Sequence, residues 1–128
     1  MDIDATARVG TIMTTSVETI SRTATVRESV VRMRDEGINS LLVPGAETGI
    51  ITSTDILDMI ADGDDIDQST VADVMTAPVE WVETDMRLQE AAAMMETHGI
   101  NHLPVRDQDG DYVGIISSTD FRERFINS

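Results

Sequence analysis

The sequence predicts an α/β fold of the α+β kind, in which two pseudo-symmetric β-α-β-β-α repeats pack together, and three observations carry that expectation. The chain states one pattern twice: Met13/Met75, Thr14/Thr76, Val17/Val79, Glu28/Glu90, Gly37/Gly99, Asn39/Asn101 and Val43/Val105 all stand 62 positions apart. Beyond Val105 the offset becomes 65 and holds through Gly49/Gly114, Ile50/Ile115, Thr54/Thr119 and Asp55/Asp120, so copy two carries three extra residues between Asp107 and Tyr112. An insertion confined to a Gly- and Asp-rich stretch between apolar runs is what a hairpin turn tolerates. Finally, 128 residues suit one compact domain, whereas a half of roughly 60 residues buries too little surface alone, so the copies are expected to share one core.

In copy one a short helical lead-in through Met13 precedes a strand from Val17 to Ile20. A helix follows over Val26 to Glu36, with Val26, Val30 and Met33 at helical spacing, Thr25-x-x-Glu28 as a capping box and Gly37 as its stop. Leu41 to Val43 form a strand, Pro44-Gly45 a turn, and Gly49 to Thr52 a second strand running into a helix over Asp55 to Ala61. Copy two repeats this order with strands at Val79 to Val82, His102 to Arg106 and Tyr112 to Ser117, and helices at Leu88 to His98 and Thr119 to Phe125. The repeats are therefore expected at 8–61 and 70–127, joined by a solvated acidic linker at 62–69, the whole chain forming one tandem module.

Twenty-four acidic residues against nine basic ones, all nine of them arginine, give a formal net charge of −15. Such a surface repels nucleic acid and anionic lipid, and neither is expected as a partner. Dense carboxylates in a lysine-free chain point to adaptation to high salt, where screening suppresses their repulsion. There is no cysteine, hence no disulfide framework, thiolate nucleophile or zinc–cysteine site. No apolar run approaches the length of about 20 residues needed to cross a bilayer, and the acidic amino terminus lacks a secretory signal, so the expected location is the cytoplasm.

The paired signature is Gly-Ile-Ile-[Thr/Ser]-Ser-Thr-Asp, at 49–55 and 114–120. A buried strand whose last hydroxyl leads into a helix start presents free backbone N–H groups that favour a phosphate. The carboxylate three residues on, Asp55 or Asp120, offers two acceptor oxygens that match the adjacent hydroxyls of a ribose. Ser/Thr-x-x-Asp at a helix start is equally ordinary capping, and repetition alone does not separate a fold constraint from a ligand site.

The order and spacing of these motifs, from about Val9 to Phe125, resemble a stand-alone tandem pair of CBS domains, the Bateman module. The residues that carry the resemblance are the Met-Thr-x-x-Val openings, Glu36 to Val43 with His98 to Val105, and the two Gly-Ile-Ile signatures. The resemblance implies a disc-like module whose clefts between the repeats bind an adenosine-containing ligand: AMP, ADP, ATP or S-adenosylmethionine. One cleft would use Thr52, Thr54 and Asp55 with Val79, Glu80, Asn101, His102 and Pro104. The other would use Ser117, Thr119 and Asp120 with Val17, Glu18, Asn39, Ser40 and Leu42. The aspartates would hold ribose hydroxyls and the hydroxyl residues would face the phosphate. The copies are not equal, since Leu42 and Ser16 stand where copy two has Pro104 and Pro78, and His102 faces Ser40. Arg122 and Arg106 are the nearby cations available to a polyphosphate.

The resemblance implies a non-enzymatic regulatory module, without catalytic cofactor, that forms a homodimer and signals to a partner protein. The alternative is a scaffold of the same fold that binds no nucleotide. An enzyme is not expected, because no nucleophile with a base, metal cluster or P-loop is present. Asp62 to Ser69 lacks the spacing of a calcium loop, and Gly99 separates His98 from His102, so no metal site is expected. Met33, Met94 and Met95 read as core packing, and Trp81 as a residue on an exposed face that marks a partner contact.

Overall fold

A computed structural model describes residues 7–15 and 17–121. In chain order its elements are α1 (Val9–Ile12), α2 (Val26–Glu36), β1 (Ser40–Val43), β2 (Gly49–Thr52), α3 (Ser53–Ala61), α4 (Val71–Val74), β3 (Val82–Glu83), α5 (Leu88–His98), β4 (His102–Arg106) and β5 (Tyr112–Ser117). Mixed helices and small sheets make an α+β fold. Residues 118–121 are helical and begin the helix expected over Thr119 to Phe125, whose remainder, with Ser16 and Arg122, lies outside the described residues.

The chain divides into two compact units, and their boundaries cut across the sequence repeats. One unit is contiguous, Glu18–Val79; the other unites the first 17 residues with everything from Glu80 onward. Each repeat's lead-in therefore belongs to the unit built around the other repeat.

In the contiguous unit β1 and β2 form an antiparallel hairpin in the register Ser40↔Thr52 to Val43↔Gly49. Its core gathers Ile20, Val26, Met33, Leu41, Val43, Ile51, Ile56, Met59 and Val71. Val71 comes from α4, the lead-in of copy two, which is tied down where the Val71 and Ala72 amides donate to the Ala24 and Arg22 carbonyls at 2.8 and 2.9 Å. Thr76 then pairs with Ile50 through reciprocal 2.9 Å bonds. Gly49 is needed there: a Cβ would stand 3.0 Å from both the Met75 Sδ and the Thr76 oxygen.

The second unit is built in the same way on the sheet β3-β4-β5. Its core holds Val82, Leu88, Ala91, Met95, Leu103, Val105, Ile116 and Phe121, with Ala7 and Val9 supplied by the lead-in of copy one. Thr14 and Ile115 exchange 2.9 Å bonds, the counterpart of Thr76 and Ile50. The expectation of one shared core is thus corrected to two clusters, because each exchanged lead-in brings apolar side chains into its host unit.

The helix signals are realised locally. Thr25 and Glu28 form the reciprocal capping box, and Gly37 and Gly99 end α2 and α5 at φ 66° and 63°, a left-handed conformation that glycine adopts without a Cβ clash. The strand expected over Val17 to Ile20 is instead a single parallel bridge, Thr19↔Leu42. The cause lies in its neighbour: β4 runs to Arg106, whose carbonyl accepts from the Thr84 amide at 3.1 Å and lengthens the ladder beside β3, whereas β1 ends before the Pro44-Gly45 turn. The 62–69 stretch is more than a solvated tether, since the Ile66 and Ser69 carbonyls accept from the first amides of α2, Arg27 and Val26, at 3.1 and 3.0 Å. Ile66 packs against the core of this unit, and Asp67 pairs with Arg27.

Candidate functional site

The two hydroxyl–aspartate signatures sit at equivalent strand-to-helix junctions, one in each unit. Thr52 is the N-cap of α3: its Oγ1 accepts from the Asp55 amide at 3.2 Å, while Asp55 Oδ2 accepts from the Thr52 amide and hydroxyl, both at 2.9 Å. In the other unit Asp120 Oδ2 accepts from the Ser117 amide at 2.7 Å and the Ser117 hydroxyl at 3.2 Å. The capping box is complete at Thr52 and Asp55, whereas at Ser117 and Asp120 the aspartate's half of it forms. It engages one oxygen of each carboxylate and leaves Oδ1 of each without a hydrogen bond among the described residues. An unengaged carboxylate oxygen has two lone pairs to offer a diol.

The strand before each helix is held against the residues ahead of its neighbour. Ser53 donates its amide to Asn39 and Ser118 donates to Asn101, both at 3.0 Å. The registers Ser40↔Thr52 and His102↔Ser117 place those pairs side by side. Each unit thus gathers an asparagine, a hydroxyl residue and an aspartate beside one another. Leu42 and Pro104 are buried in their strands, whereas Ser40, His102, Asp55 and Asp120 are half-buried and Asn39, Asn101, Thr54 and Thr119 are exposed.

The first strands supply the remaining predicted residues. Leu42 donates its amide to the Glu18 carbonyl at 3.0 Å and Val79 donates to Thr48 at 2.8 Å, both within the contiguous unit. Glu18 Oε2 is held by Arg32 Nη2 at 2.9 Å. Its counterpart Glu80 is exposed and has Met94 where Glu18 has Arg32, so the copies differ in charge as well as at Leu42/Pro104. The residues expected to act together divide between the units: Thr52, Thr54, Asp55 and Val79 lie in one, Glu80, Asn101, His102 and Pro104 in the other. Val17 likewise belongs with Ser117, Thr119 and Asp120, and Glu18, Asn39, Ser40 and Leu42 with the contiguous unit.

Arg106, a candidate for phosphate, is directed elsewhere. Its guanidinium lies 4.2 Å from the Trp81 ring centre and 5.6 Å from that of Tyr112, and its Nε donates to the Gly110 carbonyl at 3.1 Å. Trp81 is 38% exposed, as the imperfect alternation of its strand suggests. Arg8 is a residue the sequence did not single out; it stands opposite Arg87 in an antiparallel bridge, a relationship that no local pattern announces. Among the described residues no three His, Cys, Asp or Glu side chains converge as a metal site, and no helix is long and apolar enough to cross a membrane.

Corresponding grooves lie beside both junctions. In the contiguous unit Met33, Ile38, Asn39, Ile56, Leu57 and Ile60 line a groove of ≈ 630 Å³. In the other, Met95, Ile100, Asn101 and Phe121 line one of ≈ 250 Å³. Leu57 and Ile60 leave 66% and 50% of their surfaces exposed.

Comparison with known proteins matches this geometry. The family model for the CBS domain matches twice, at residues 9–62 and 71–127. An uncharacterised protein of Methanopyrus kandleri is 34% identical over 116 residues, which are 88% of this chain and 59% of that protein. A homoserine O-acetyltransferase of Methanocorpusculum labreanum is 35% identical over 110 residues, 84% of this chain but 22% of the enzyme. The hexameric CBS-CP12 protein from bloom-forming cyanobacteria superposes with a TM-score of 0.87 at 29% identity, covering 93% of this chain and 68% of that one. A CBS domain pair solved with 5′-methylthioadenosine and S-adenosylmethionine gives 0.83 at 26% identity, covering 93% and 99%.

Proposed function

Since the chain belongs to the CBS domain family, we propose that it is a non-catalytic regulatory module that binds an adenosine-containing ligand and relays its presence to a partner protein. The observation that carries this reading is the pair of equivalent junctions, each ending in an aspartate with one carboxylate oxygen uncommitted among the described residues. It is supported by the structural neighbour that holds S-adenosylmethionine and methylthioadenosine. In this proposal Asp55 and Asp120 take ribose hydroxyls through Oδ1, and Thr54 and Thr119 take the polar end of the ligand. Val79, Glu80, Asn101, His102 and Pro104, with Val17, Glu18, Asn39, Ser40 and Leu42, complete the binding surfaces. Arg106 is occupied by two aromatic rings, which favours AMP or the cationic S-adenosylmethionine over ATP. A homodimer is part of the proposal: the exposed Leu57 and Ile60 give a second copy an apolar face to cover, and the cyanobacterial neighbour is hexameric. We also assign the acidic, lysine-free composition to life of the chain in concentrated salt, in the cytoplasm.

A second reading, a CBS-fold scaffold without nucleotide, is favoured by one detail. The Thr52 and Ser117 hydroxyls both donate into their own caps and are not available to a phosphate. A thermal-unfolding screen in concentrated KCl with AMP, ADP, ATP, S-adenosylmethionine and NAD separates the two. A ligand at about 100 times its dissociation constant stabilises the folded state by about 2.7 kcal/mol, a clear rise in midpoint. A rise abolished by Asp55→Ala or Asp120→Ala establishes a sensor. No rise with any of the five while the protein stays folded leaves the scaffold.

A further inference from the structure

At Arg8 the fold sets two like charges opposite each other. The Leu88 amide donates to the Ala7 carbonyl at 3.1 Å and the Val9 amide to Met86 at 2.9 Å, so Arg8 and Arg87 face each other as a non-hydrogen-bonded antiparallel pair. That is the closest cross-strand placement, and like charges directly opposite destabilise it. Arg8 Nη1 is moreover buried with no hydrogen-bond partner among the described residues. A charged donor in that state costs more than a neutral one unless an acceptor reaches it. Glu83, Asp85 and Glu90 line the same ≈ 490 Å³ pocket with Trp81, yet no ion pair joins any of them to Arg8 or Arg87.

Among the described residues, a buried Arg8 nitrogen without an acceptor, the like-charged Arg87 opposite it and three carboxylates outside any ion pair line one pocket, an arrangement that suits a ligand carrying both charges. A phosphate dianion would meet a lining whose formal charge is negative, 2 − 3 = −1. A simple ammonium would leave the arginine pair uncompensated. We propose that this pocket is a binding site for a free α-amino acid, whose carboxylate bridges Arg8 and Arg87 and whose ammonium faces Glu83, Asp85 and Glu90. None of these residues is among those proposed above to take the adenosyl ligand. Its volume falls in the usual range for small-molecule pockets.

Trp81 is the chain's single tryptophan and lies in the lining, so its emission reads this pocket directly. The full chain is titrated with each proteinogenic L-amino acid except tryptophan and tyrosine, and with acetate, methylammonium and inorganic phosphate, to about 10 mM, weak binding for a metabolite. At least one amino acid is expected to give a saturable change. Arg8→Gln and, independently, Glu90→Gln should each weaken it by about tenfold or more, while Asp120→Ala leaves it unchanged. Glu90 is exposed in the first turn of α5, so its variant keeps the test alive even where Arg8→Gln fails to fold. Absence of saturation with every amino acid overturns the proposal. So does binding that survives both variants, or acetate or phosphate matching the best amino acid.

Discussion

Thr52 and Asp55 are joined by three hydrogen bonds: the Thr52 amide and hydroxyl both donate to Asp55 Oδ2, and the Asp55 amide donates to Thr52 Oγ1. The residue proposed to read a ribose therefore also holds the start of α3. Asp55→Ala should lower stability by about 1 kcal/mol through loss of the cap alone. The informative quantity in a ligand screen is accordingly the midpoint shift of each variant against its own unliganded form. Thr52→Val removes the hydroxyl but keeps the amide donor and Oδ1, so it should lose stability while retaining the ligand-induced shift. Loss of both would move Thr52 from positioning the aspartate to touching the ligand.

Gly114 is more tightly confined than its counterpart Gly49. A Cβ on Gly114 would meet Met13 Sδ at 2.5 Å and the Thr14 oxygen at 2.8 Å, against two 3.0 Å approaches at Gly49. Gly114→Ala should therefore cost about 1–3 kcal/mol, the range for overpacking a fitted site, and more than Gly49→Ala. Chemical denaturation of the two variants checks the order.

Acid should unfold the protein partly through α4. The Thr70 amide donates to Asp73 at 3.0 Å and holds its carboxyl below the usual aspartate range, and the Arg27 guanidinium does the same for Asp67. A depressed carboxyl contributes stability above its unfolded value, and that contribution disappears as pH falls through the lower folded value. The unfolding midpoint should drop on acidification below the ordinary aspartate range, less steeply in Asp73→Asn. Parallel curves for the two proteins would remove Asp73 from the account.

Removing the Arg106 guanidinium should uncover Trp81. An exposed cation–π contact is worth about 0.5–1 kcal/mol, so Arg106→Ala is expected to shift tryptophan emission to the red with a small loss of stability. Arg106→Lys should recover part of the stability but not the planar stacking.

The proposed second copy on the α2–α3 groove would make a charge at its most exposed apolar residue disruptive. Leu57→Glu should leave the monomer folded, since Leu57 is 66% exposed, and reduce the mass found by light scattering from dimer to monomer. An unchanged mass places any dimer interface elsewhere.

What was legible in the sequence is what is decided within a few residues. The Thr25 cap, the Gly37 and Gly99 stops and the Thr52-x-x-Asp55 junction depend on spacing of three or fewer, and all form. The β1–β2 and β4–β5 hairpins follow from apolar runs flanking turn residues. Pairings between distant segments were not legible. Val9 and Val71 look like repeat-opening residues, and nothing near them says that each packs into the core built on the other copy. The parallel strand at Val17 was overestimated because its length depends on where β1 ends, at Val43 before the Pro44-Gly45 turn. Trp81 illustrates the same limit. Its exposure was visible in imperfect alternation, but its partner Arg106 follows from the β3–β4 register, in which Glu83 faces Arg106 and Trp81 lies one diagonal step away.

The exchange of lead-ins also orders events in time. The unit Glu18–Val79 is one unbroken segment and can close as soon as its last residue is made. The other unit has its two parts on either side of that segment, so Ala7 and Val9 must wait, apolar and unpartnered, until Leu103 and Ile116 arrive. Pulse-labelled amide exchange during refolding should accordingly protect Ile51 before Ile116, because the second closure spans a longer loop.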